Sequence, residues 1–156
     1  VLSSPRRCTE HDVQALVAAG VFGQARRRAT GIDGSRLTML CAVLEQHAGL
    51  QLIDQDIYAG TVGGLKLSEP AIDLALSLCI VGGYSKRILQ PKCCAIGEVG
   101  LGGEVRSVPQ LQQRAAQVRR RGYKTILVPI TQEKVAGEGA VGVASIADLG
   151  GFFKKN

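Results

Sequence analysis

The apolar positions of this chain follow two periods, one of about 3.6 residues and one of two residues. The clearest helical stretch covers residues 34–48, where four apolar side chains recur at the spacing of one helix face. These side chains are Leu37, Leu40, Cys41 and Leu44. Asp33 stands in the position of an N-cap and Gly49 in that of a C-cap. The pattern predicts a capped helix that buries its leucine-rich face.

A second helical stretch, residues 69–81, is apolar almost all round. Between residues 71 and 81 only Asp73 and Ser77 are clearly polar. A helix with apolar side chains on every face has to be covered by other elements on most sides. We therefore predict a central buried helix, which Ser68 caps at its start and Gly82-Gly83 ends.

The remaining segments mix strands with shorter helices. Apolar runs bounded by turn residues predict strands over 12–19, 52–62, 92–96, 125–128 and 141–144, and glycines predict a hairpin over 97–107. Helical spacing predicts helices over 109–121, 132–136 and 147–153. This order indicates an α/β (or α+β) layered sandwich. We expect one domain over residues 11–156, after a polar linker of residues 1–10.

Composition is that of an ordinary folded protein. Hydrophobic residues make up 46% of the chain and charged residues 21%, which excludes general disorder. Aromatic residues make up only 4%, which argues against a base-stacking platform for single-stranded nucleic acid. The 19 Lys and Arg against 13 Asp and Glu give a net charge of +6. This excess suits a polyanionic partner, although it is also small enough to serve solubility alone.

The cysteines do not form a zinc-binding pattern. There are five of them with two histidines, and no Cys-x-x-Cys pair occurs, so we predict no metal site. Buried, reduced thiols of a cytoplasmic protein are expected instead. No run of 18 apolar residues occurs, and the sequence begins at Val1 without a signal-peptide pattern. We therefore expect a piece of a longer cytoplasmic protein without a membrane span.

The glycine-rich segments do not match a nucleotide-binding motif. Residues 97–103 and 137–142 each carry several glycines, but neither is followed by Lys-Ser or Lys-Thr as in a P-loop. Neither fits the Gly-x-Gly-x-x-Gly fingerprint of dinucleotide-binding folds. We therefore predict tight turns at both places, and no cofactor bound to this chain.

Two segments resemble the halves of the Ser–Lys active site of Lon-type peptidases. Residues 63–75 resemble the turn and helix that carry the nucleophile, and residues 97–105 resemble the glycine hairpin that precedes the lysine. The resemblance puts the nucleophile position at Ala71 and the lysine position at Gln112. Alanine has no nucleophilic group and glutamine cannot serve as a general base. The resemblance thus implies the frame of a catalytic dyad without its catalytic residues.

Nearby side chains are poor substitutes for the missing dyad. Ser68 is predicted to cap the helix, and Ser77 lies two turns inside it. Lys66 stands only two residues from Ser68, which is a poor geometry for a dyad in an extended chain. An active Ser–Lys peptidase that uses an unexpected nucleophile is the alternative interpretation.

Together with the rest of the chain, these segments resemble the C-terminal Lon-like domain of the bacterial RadA (Sms) DNA-repair proteins. The resemblance runs from Arg27-Arg28 through Gly31-Ile32-Asp33 and Asp54-Gln55-Asp56 to Gly122-Tyr123-Lys124. It covers nearly the whole chain. It implies the fold of the Lon proteolytic domain, which is related to the second domain of ribosomal protein S5.

The resemblance also implies a larger protein around this domain. RadA proteins carry a four-cysteine zinc finger and a RecA-like ATPase ahead of it, so zinc, ATP and Mg²⁺ are expected in domains that this chain lacks. The whole protein is expected to be a hexameric, ATP-driven DNA motor in recombination and branch migration, with the RecA recombinase as a candidate partner. The Lon-like domain would serve as a scaffold of the ring and as a basic DNA surface.

Basic residues group into clusters that suit such a surface. They are Arg26, Arg27 and Arg28; Lys86 and Arg87; and Arg114, Arg119, Arg120, Arg121 and Lys124. Arg114 and Arg121 are predicted on the solvent face of the helix over residues 109–121. Guanidinium groups suit phosphate contacts that do not read sequence. Solvated helix surface, salt bridges between subunits, or a partner-docking domain without DNA contact are the alternatives.

Overall fold

The computed structural model describes residues 13–61 and 66–154, together with the backbone of two short strands near the start of the chain. These strands, β1 (Leu2–Ser4) and β2 (Arg7–Thr9), pair antiparallel as a hairpin. The predicted linker of residues 1–10 otherwise falls outside the described residues. So do Gly63 and Gly64 of the first Lon-like segment.

The first half of the described chain forms a mixed sheet with the strand order β3-β5-β4. Its strands are β3 (Val13–Ala19), β4 (Arg27–Thr30) and β5 (Gln55–Thr61). Strand β5 runs antiparallel to β3 and parallel to β4. The described part of the strand predicted over residues 12–19 is confirmed, whereas the strand predicted over residues 52–62 begins only at Gln55, because residues 53 and 54 form a turn. Apolar alternation does not predict β4, because its sequence Arg-Arg-Ala-Thr contains a single apolar residue.

Helix α1 (Gly34–Ala48) connects β4 to β5 and has the predicted bounds. The Asp33 carboxylate accepts a hydrogen bond from the Ser35 N–H at 2.9 Å, which satisfies one donor of the first turn. Gly49 ends the helix with a φ of 75°, a conformation in which a side chain is strained. The whole predicted leucine-rich face is buried.

Helix α2 (Asp73–Ser85) is the predicted central helix, but it begins later than predicted. A 3₁₀ turn, Pro70–Ile72, precedes it, and Glu69 stands before that turn without a capping bond from its side chain. The predicted Ser68 cap is wrong, because the 3₁₀ turn separates Ser68 from the first α-helical residue. Ser68 is exposed instead.

The predicted end of α2 at Gly82-Gly83 is also wrong, since the helix continues to Ser85. A Cβ atom on Gly82 would lie 2.9 Å from the Phe153 ring, and one on Gly83 would lie 3.1 Å from Cγ2 of Val17. The two glycines therefore allow neighbouring elements to approach the helix closely, and Lys86 in a left-handed conformation ends it.

The second half contains a parallel sheet with the order β10-β9-β6. Its strands are β6 (Cys93–Ala95), β9 (Thr125–Pro129) and β10 (Ala140–Val143). Between β6 and β9 lie the predicted hairpin of β7 (Glu98–Val99) with β8 (Val105–Arg106) and the predicted helix α3 (Leu111–Arg120). Helix α4 (Glu133–Ala136) follows a 3₁₀ turn, Ile130–Gln132. The predicted terminal helix is a 3₁₀ helix, Ile146–Phe152.

Buried side chains form two apolar clusters, and β9 contributes to both. Leu127 belongs to the larger cluster, which contains the cores of α1 and α2. Ile126 and Val128 belong to the smaller cluster, which contains the buried face of α3. A strand buried on both faces is typical of a parallel sheet between two layers. The predicted layered α/β class is therefore confirmed.

Candidate functional site

The two Lon-like segments lie side by side. The N–H of Gly97 donates a hydrogen bond to the carbonyl of Ala71 at 3.1 Å. The N–H of Leu74 donates in turn to the carbonyl of Gly97 at 3.0 Å. These bonds fasten the turn before α2 to the start of the glycine hairpin. The two halves that the sequence separates by more than twenty residues therefore form one site.

Asp73, in the first turn of α2, joins three segments at this site. Its buried carboxylate receives hydrogen bonds from Arg36 of α1, from Nε at 2.5 Å and from Nη2 at 2.6 Å. It also accepts the N–H of Val99 in β7 at 3.1 Å. Burial raises the pKa of Asp73, whereas the bonds from Arg36 and Val99 act in the opposite direction. The bond to Asp73 raises the pKa of Arg36.

Arg114 provides a second buried ion pair at the same site. Its side chain is fully buried, and its guanidinium contacts the carboxylate of Glu69, which stands two residues before Ala71. The prediction that Arg114 lies on the solvent face of α3 is wrong. The reason is spacing, since Leu111, Arg114 and Val118 fall on one helical face. The position of Arg114 in that stripe is the only sequence signal for its burial, because its partner Glu69 lies 45 residues away.

The Lon-like dyad positions carry no reactive group in the structure. Ala71 is 1% exposed and packs in the smaller apolar cluster. Gln112 is exposed on α3, so the cation beside the Ala71 turn is Arg114 rather than a residue at position 112. An arginine stays protonated and cannot serve as a general base. Ser77 is buried, and its hydroxyl has no hydrogen-bond partner among the described residues.

Six of the ten residues predicted to contact DNA have exposed side chains. They are Arg26, Arg28, Lys86, Arg120, Arg121 and Lys124. Arg120 and Arg121 stand at the carboxyl end of α3, where positive charge interacts favourably with the helix dipole. Arg28 lies on the outer face of β4, opposite Tyr58 of β5.

The other four predicted residues are engaged within the domain. Arg27 donates from its guanidinium to the carbonyls of Leu52 at 2.8 Å and Gln55 at 2.5 Å. Arg119 donates to the carbonyls of Ala136 at 2.5 Å and Glu138 at 2.9 Å. These two arginines hold loops in place.

Arg87 and Arg114 complete that group. Arg87 donates to the carbonyl of Gly150 at 3.2 Å and lies over the Phe153 ring at 5.5 Å from its centroid. Arg114 is the buried partner of Glu69 described above. Arg87 also borders a groove, so its side chain still reaches a surface.

The structure brings some of the basic residues together and adds others. Arg28 and Arg87 border one groove of about 800 Å³, whereas Arg121 and Lys92 border a neighbouring depression. Tyr123 lines both, so the groove and the depression are adjacent. Lys92 and Tyr123 are not among the predicted site residues. A lysine and a tyrosine placed alone at the ends of predicted elements give no periodic signal.

Neither a cluster of metal ligands nor a membrane-spanning helix occurs in the described residues. Within ranges 13–61 and 66–154, no group of three or more His, Cys, Asp and Glu side chains is placed to hold a metal ion. In the same part of the chain, every helix is too short or too polar to cross a membrane.

Comparison with known proteins shows homology to DNA repair protein RadA over about four-fifths of the chain. Identity to RadA of Bacillus subtilis is 43% over 141 residues, which are 88% of this chain and 31% of that protein. Identity to RadA of Streptococcus pneumoniae is 45% over 118 residues, 76% of this chain and 28% of that protein. The chain thus spans about three-tenths of the length of these relatives. Residues 61–132 also match the family described as subunit ChlI of Mg-chelatase.

Proposed function

We propose that this chain is the Lon-like domain of a RadA-type DNA repair protein and that it contacts DNA through a basic surface. The observation that supports this most is the adjacency of the groove bordered by Arg28 and Arg87 with the depression bordered by Arg121. Exposed Arg120 and Lys124 lie beside Arg121 in sequence and extend the positive charge. The homology to a DNA repair protein supports the same partner. Phosphate contacts of this kind position DNA without reading its sequence.

The test is binding of duplex DNA across a salt series. Replacing Arg120, Arg121 and Lys124 with Ala should weaken binding to all sequences alike. It should also lower the slope of log K against log salt by about 0.9 for each phosphate that the variant no longer neutralises. The charge-matched control replaces Lys66, Arg106 and Lys154, which are exposed cations that line neither the groove nor the depression.

Each result of that experiment distinguishes the proposals. A larger loss of affinity in the first variant supports DNA contact at the carboxyl end of α3. An equal loss of DNA affinity in both variants would mean that only the net charge of the chain matters, which would count against a defined DNA-binding surface. Absent or salt-insensitive binding would refute the DNA contact and favour a partner-docking domain.

We further propose that the domain has no peptidase activity. The nucleophile position is the buried methyl group of Ala71, and the adjacent cation is the permanently charged Arg114. The alternative is a Ser–Lys peptidase that uses an unexpected serine. Incubation of the chain with casein and with a fluorophosphonate probe tests this directly. Casein cleavage or covalent labelling of a serine would overturn the scaffold function.

The surrounding protein is proposed from the resemblance and the homology. It would be cytoplasmic, carry a zinc finger and an ATPase that binds ATP and Mg²⁺, and assemble as a hexamer that works with the RecA recombinase. This domain would support the ring. Sedimentation of the full-length protein with and without the domain tests that role. An oligomeric state that does not change when the domain is deleted would show that the domain does not support the ring.

A further inference from the structure

Two neighbouring loops place three large apolar side chains in solvent at one end of the β3-β5-β4 sheet. Val21 and Phe22 lie between β3 and β4 and are 61% and 73% exposed. Ile53 lies just before β5 and is 50% exposed. The N–H of Gly23 donates a hydrogen bond to the carbonyl of Ile53 at 3.2 Å, so the two loops are adjacent. The three exposed apolar residues are termed the apolar tip.

A hydrogen-bonded turn fixes the position of Phe22 in this tip. The N–H of Gln24 donates to the carbonyl of Val21 at 2.9 Å, which closes a four-residue turn. Gly23 occupies its third position with a φ of 76°, a conformation that favours glycine. An ordered loop loses little conformational entropy on binding, so its exposed side chains are suited to docking.

The exposure of Phe22 is unusual within this chain. Of the three phenylalanines, Phe153 is buried and Phe152 is half-buried. Exposed polar residues flank the tip in both loops, with Gln24 in one and Asp54 in the other. An apolar centre with an aromatic residue and a polar rim is typical of a protein-binding patch.

Charges of both signs lie around the apolar tip. The Asp56 carboxylate accepts a hydrogen bond from the N–H of Arg26 at 2.8 Å. The Glu45 carboxylate accepts one from the N–H of Leu52 at 3.1 Å. Asp54 adds an exposed carboxylate. Among the described residues, these acids balance the nearby arginines, so the tip lacks the excess of positive charge that attracts DNA phosphates. A protein surface is the better match.

The size of the apolar tip favours a tethered partner. One large aromatic side chain buries about 150–250 Å², so the tip offers roughly a few hundred Å². A stable complex between free proteins buries about 800 Å² on each partner. A tethered partner needs less, because a short linker gives an effective concentration of about millimolar. Since this chain spans about three-tenths of its RadA relatives, more than twice its length is available as a tethered partner.

We infer that the apolar tip docks into an apolar recess on the ATPase region of the same full-length protein. The inference rests on the proposed function, which supplies that region. Phe22 is the residue that fills the recess, and Val21 and Ile53 exclude water around it. A four-cysteine zinc finger is folded by its metal rather than by a large core, so it has little apolar surface for such a recess.

Photo-crosslinking of the full-length protein tests the contact. The substitution Phe22→benzoylphenylalanine places the photoreactive group in the tip, and mass spectrometry maps the peptide that it joins after irradiation. The expected crosslink leads to a peptide of the ATPase region. The matched control is Leu101→benzoylphenylalanine, because Leu101 is also 73% exposed, and it should not crosslink to that peptide. Mixing isotope-labelled with unlabelled protein shows whether a crosslink joins two copies.

Hydrogen exchange measures the strength of the contact. In the full-length protein, the amides of residues 21–22 and 53–54 should exchange at least about tenfold more slowly than in the 156-residue chain. Such protection corresponds to an effective concentration about ten times the dissociation constant. Phe22→Ser should restore the faster exchange, whereas Leu101→Ser should not. Phe22→Ser should leave the DNA affinity of the chain unchanged, so this inference and the DNA contact can fail independently.

Four results would overturn the inference. They are the absence of a crosslink to the ATPase region, a crosslink to the same domain of a second copy, a crosslink to added DNA, and equal exchange in the full-length protein and the 156-residue chain. The second would assign the apolar tip to contacts between subunits, and the third would assign it to nucleic acid.

Discussion

The ion pair of Arg114 and Glu69 holds α3 against the turn that precedes α2. Arg114 is fully buried, so its charge depends on this carboxylate for compensation. Glu69→Gln should destabilise the domain by roughly 3 kcal/mol, at the lower end for broken buried pairs because Glu69 is partly exposed. Urea unfolding followed by circular dichroism measures the loss.

The double variant Glu69→Gln with Arg114→Met is the critical comparison. It removes both charges, so we expect much of the stability to return. Arg120→Met, at an exposed position of the same helix, should change stability by less than about 0.5 kcal/mol. Additive losses in the double variant would show that the two side chains do not act as a pair.

Two cysteines are shielded by the same kind of burial. Burial raises the pKa of Cys41 and of Cys93 to about 11. A raised pKa favours the thiol, so near about pH 8 only about one molecule in a thousand carries the reactive thiolate at either position. After iodoacetamide treatment, mass spectrometry should find both unmodified in the folded protein and modified in urea. Equal labelling in the folded and unfolded protein would contradict this account.

For single residues, the sequence predicts which chemical groups are present better than it predicts where a side chain lies in the fold. The absence of a nucleophile at Ala71 follows from the sequence resemblance alone, and its burial in the apolar cluster agrees with it. The sequence does not predict whether an individual arginine is exposed or buried. An arginine side chain can extend into solvent, donate hydrogen bonds to backbone carbonyls or form a buried ion pair. Arg28 and Arg114 differ only through partners that lie far away in sequence.

Within α2, Gly82 allows the ring of Phe153, which follows the terminal 3₁₀ helix, to approach the helix closely. Alanine normally favours a helix over glycine by about 1 kcal/mol. Here the added Cβ would lie 2.9 Å from the Phe153 ring and 3.2 Å from the carbonyl oxygen of Arg87. We expect Gly82→Ala to destabilise the domain by about 1–2 kcal/mol despite its helix propensity.

The matched control is Gly34→Ala, in the first turn of α1. A Cβ there meets no atom within 4 Å, so the substitution should be neutral or slightly stabilising. Thermal unfolding of both variants beside the parent chain is the measurement. A stabilised Gly82→Ala variant would mean that the packing around Phe153 adjusts without cost.

Elements with complete local signals are predicted well, and those defined by packing are not. Helix α1 has a cap at each end and one apolar face, so its bounds follow from the sequence. The end of α2 does not, since glycine can mark either a stop or a close contact. Strand β4 is held by pairing with β5, which its own four residues do not encode.

For the whole molecule, Asp73 is the junction at which the two halves of the fold meet. It links α1 through Arg36 and the glycine hairpin through Val99, while α2 carries it into the core. Arg36 is 23% exposed on its side chain, so water can solvate this cation when the pair is broken. Asp73 has no such access, and the stability of the junction therefore depends on the arginine.

Arg36→Met should make that dependence visible as a function of pH. Without the guanidinium, the pKa of Asp73, which burial already raises above its ordinary value of 3.8, should rise further. Below pH 3.8 the carboxyl of Asp73 is protonated in both the folded and the unfolded state, so burying it carries no charge and costs no extra stability. As pH increases through the raised pKa, the unfolded state releases its proton more readily, so stability falls. We expect a loss of roughly 3 kcal/mol near neutral pH that shrinks toward about pH 4.

Urea unfolding of the variant and the parent chain across this range measures the difference. Arg106→Met is the control, because its partner Glu104 is exposed and the pair contributes little. The pKa of Glu104 is lowered by the hydrogen bond from its own backbone N–H and then by that from the Arg106 side chain. The control variant should therefore also lose stability as this carboxylate ionises, in the same direction as Arg36→Met but to a much smaller extent, because solvent screens the exposed pair. A difference for Arg36→Met that is independent of pH would mean that Asp73 does not titrate, and that the junction is held by packing rather than by charge.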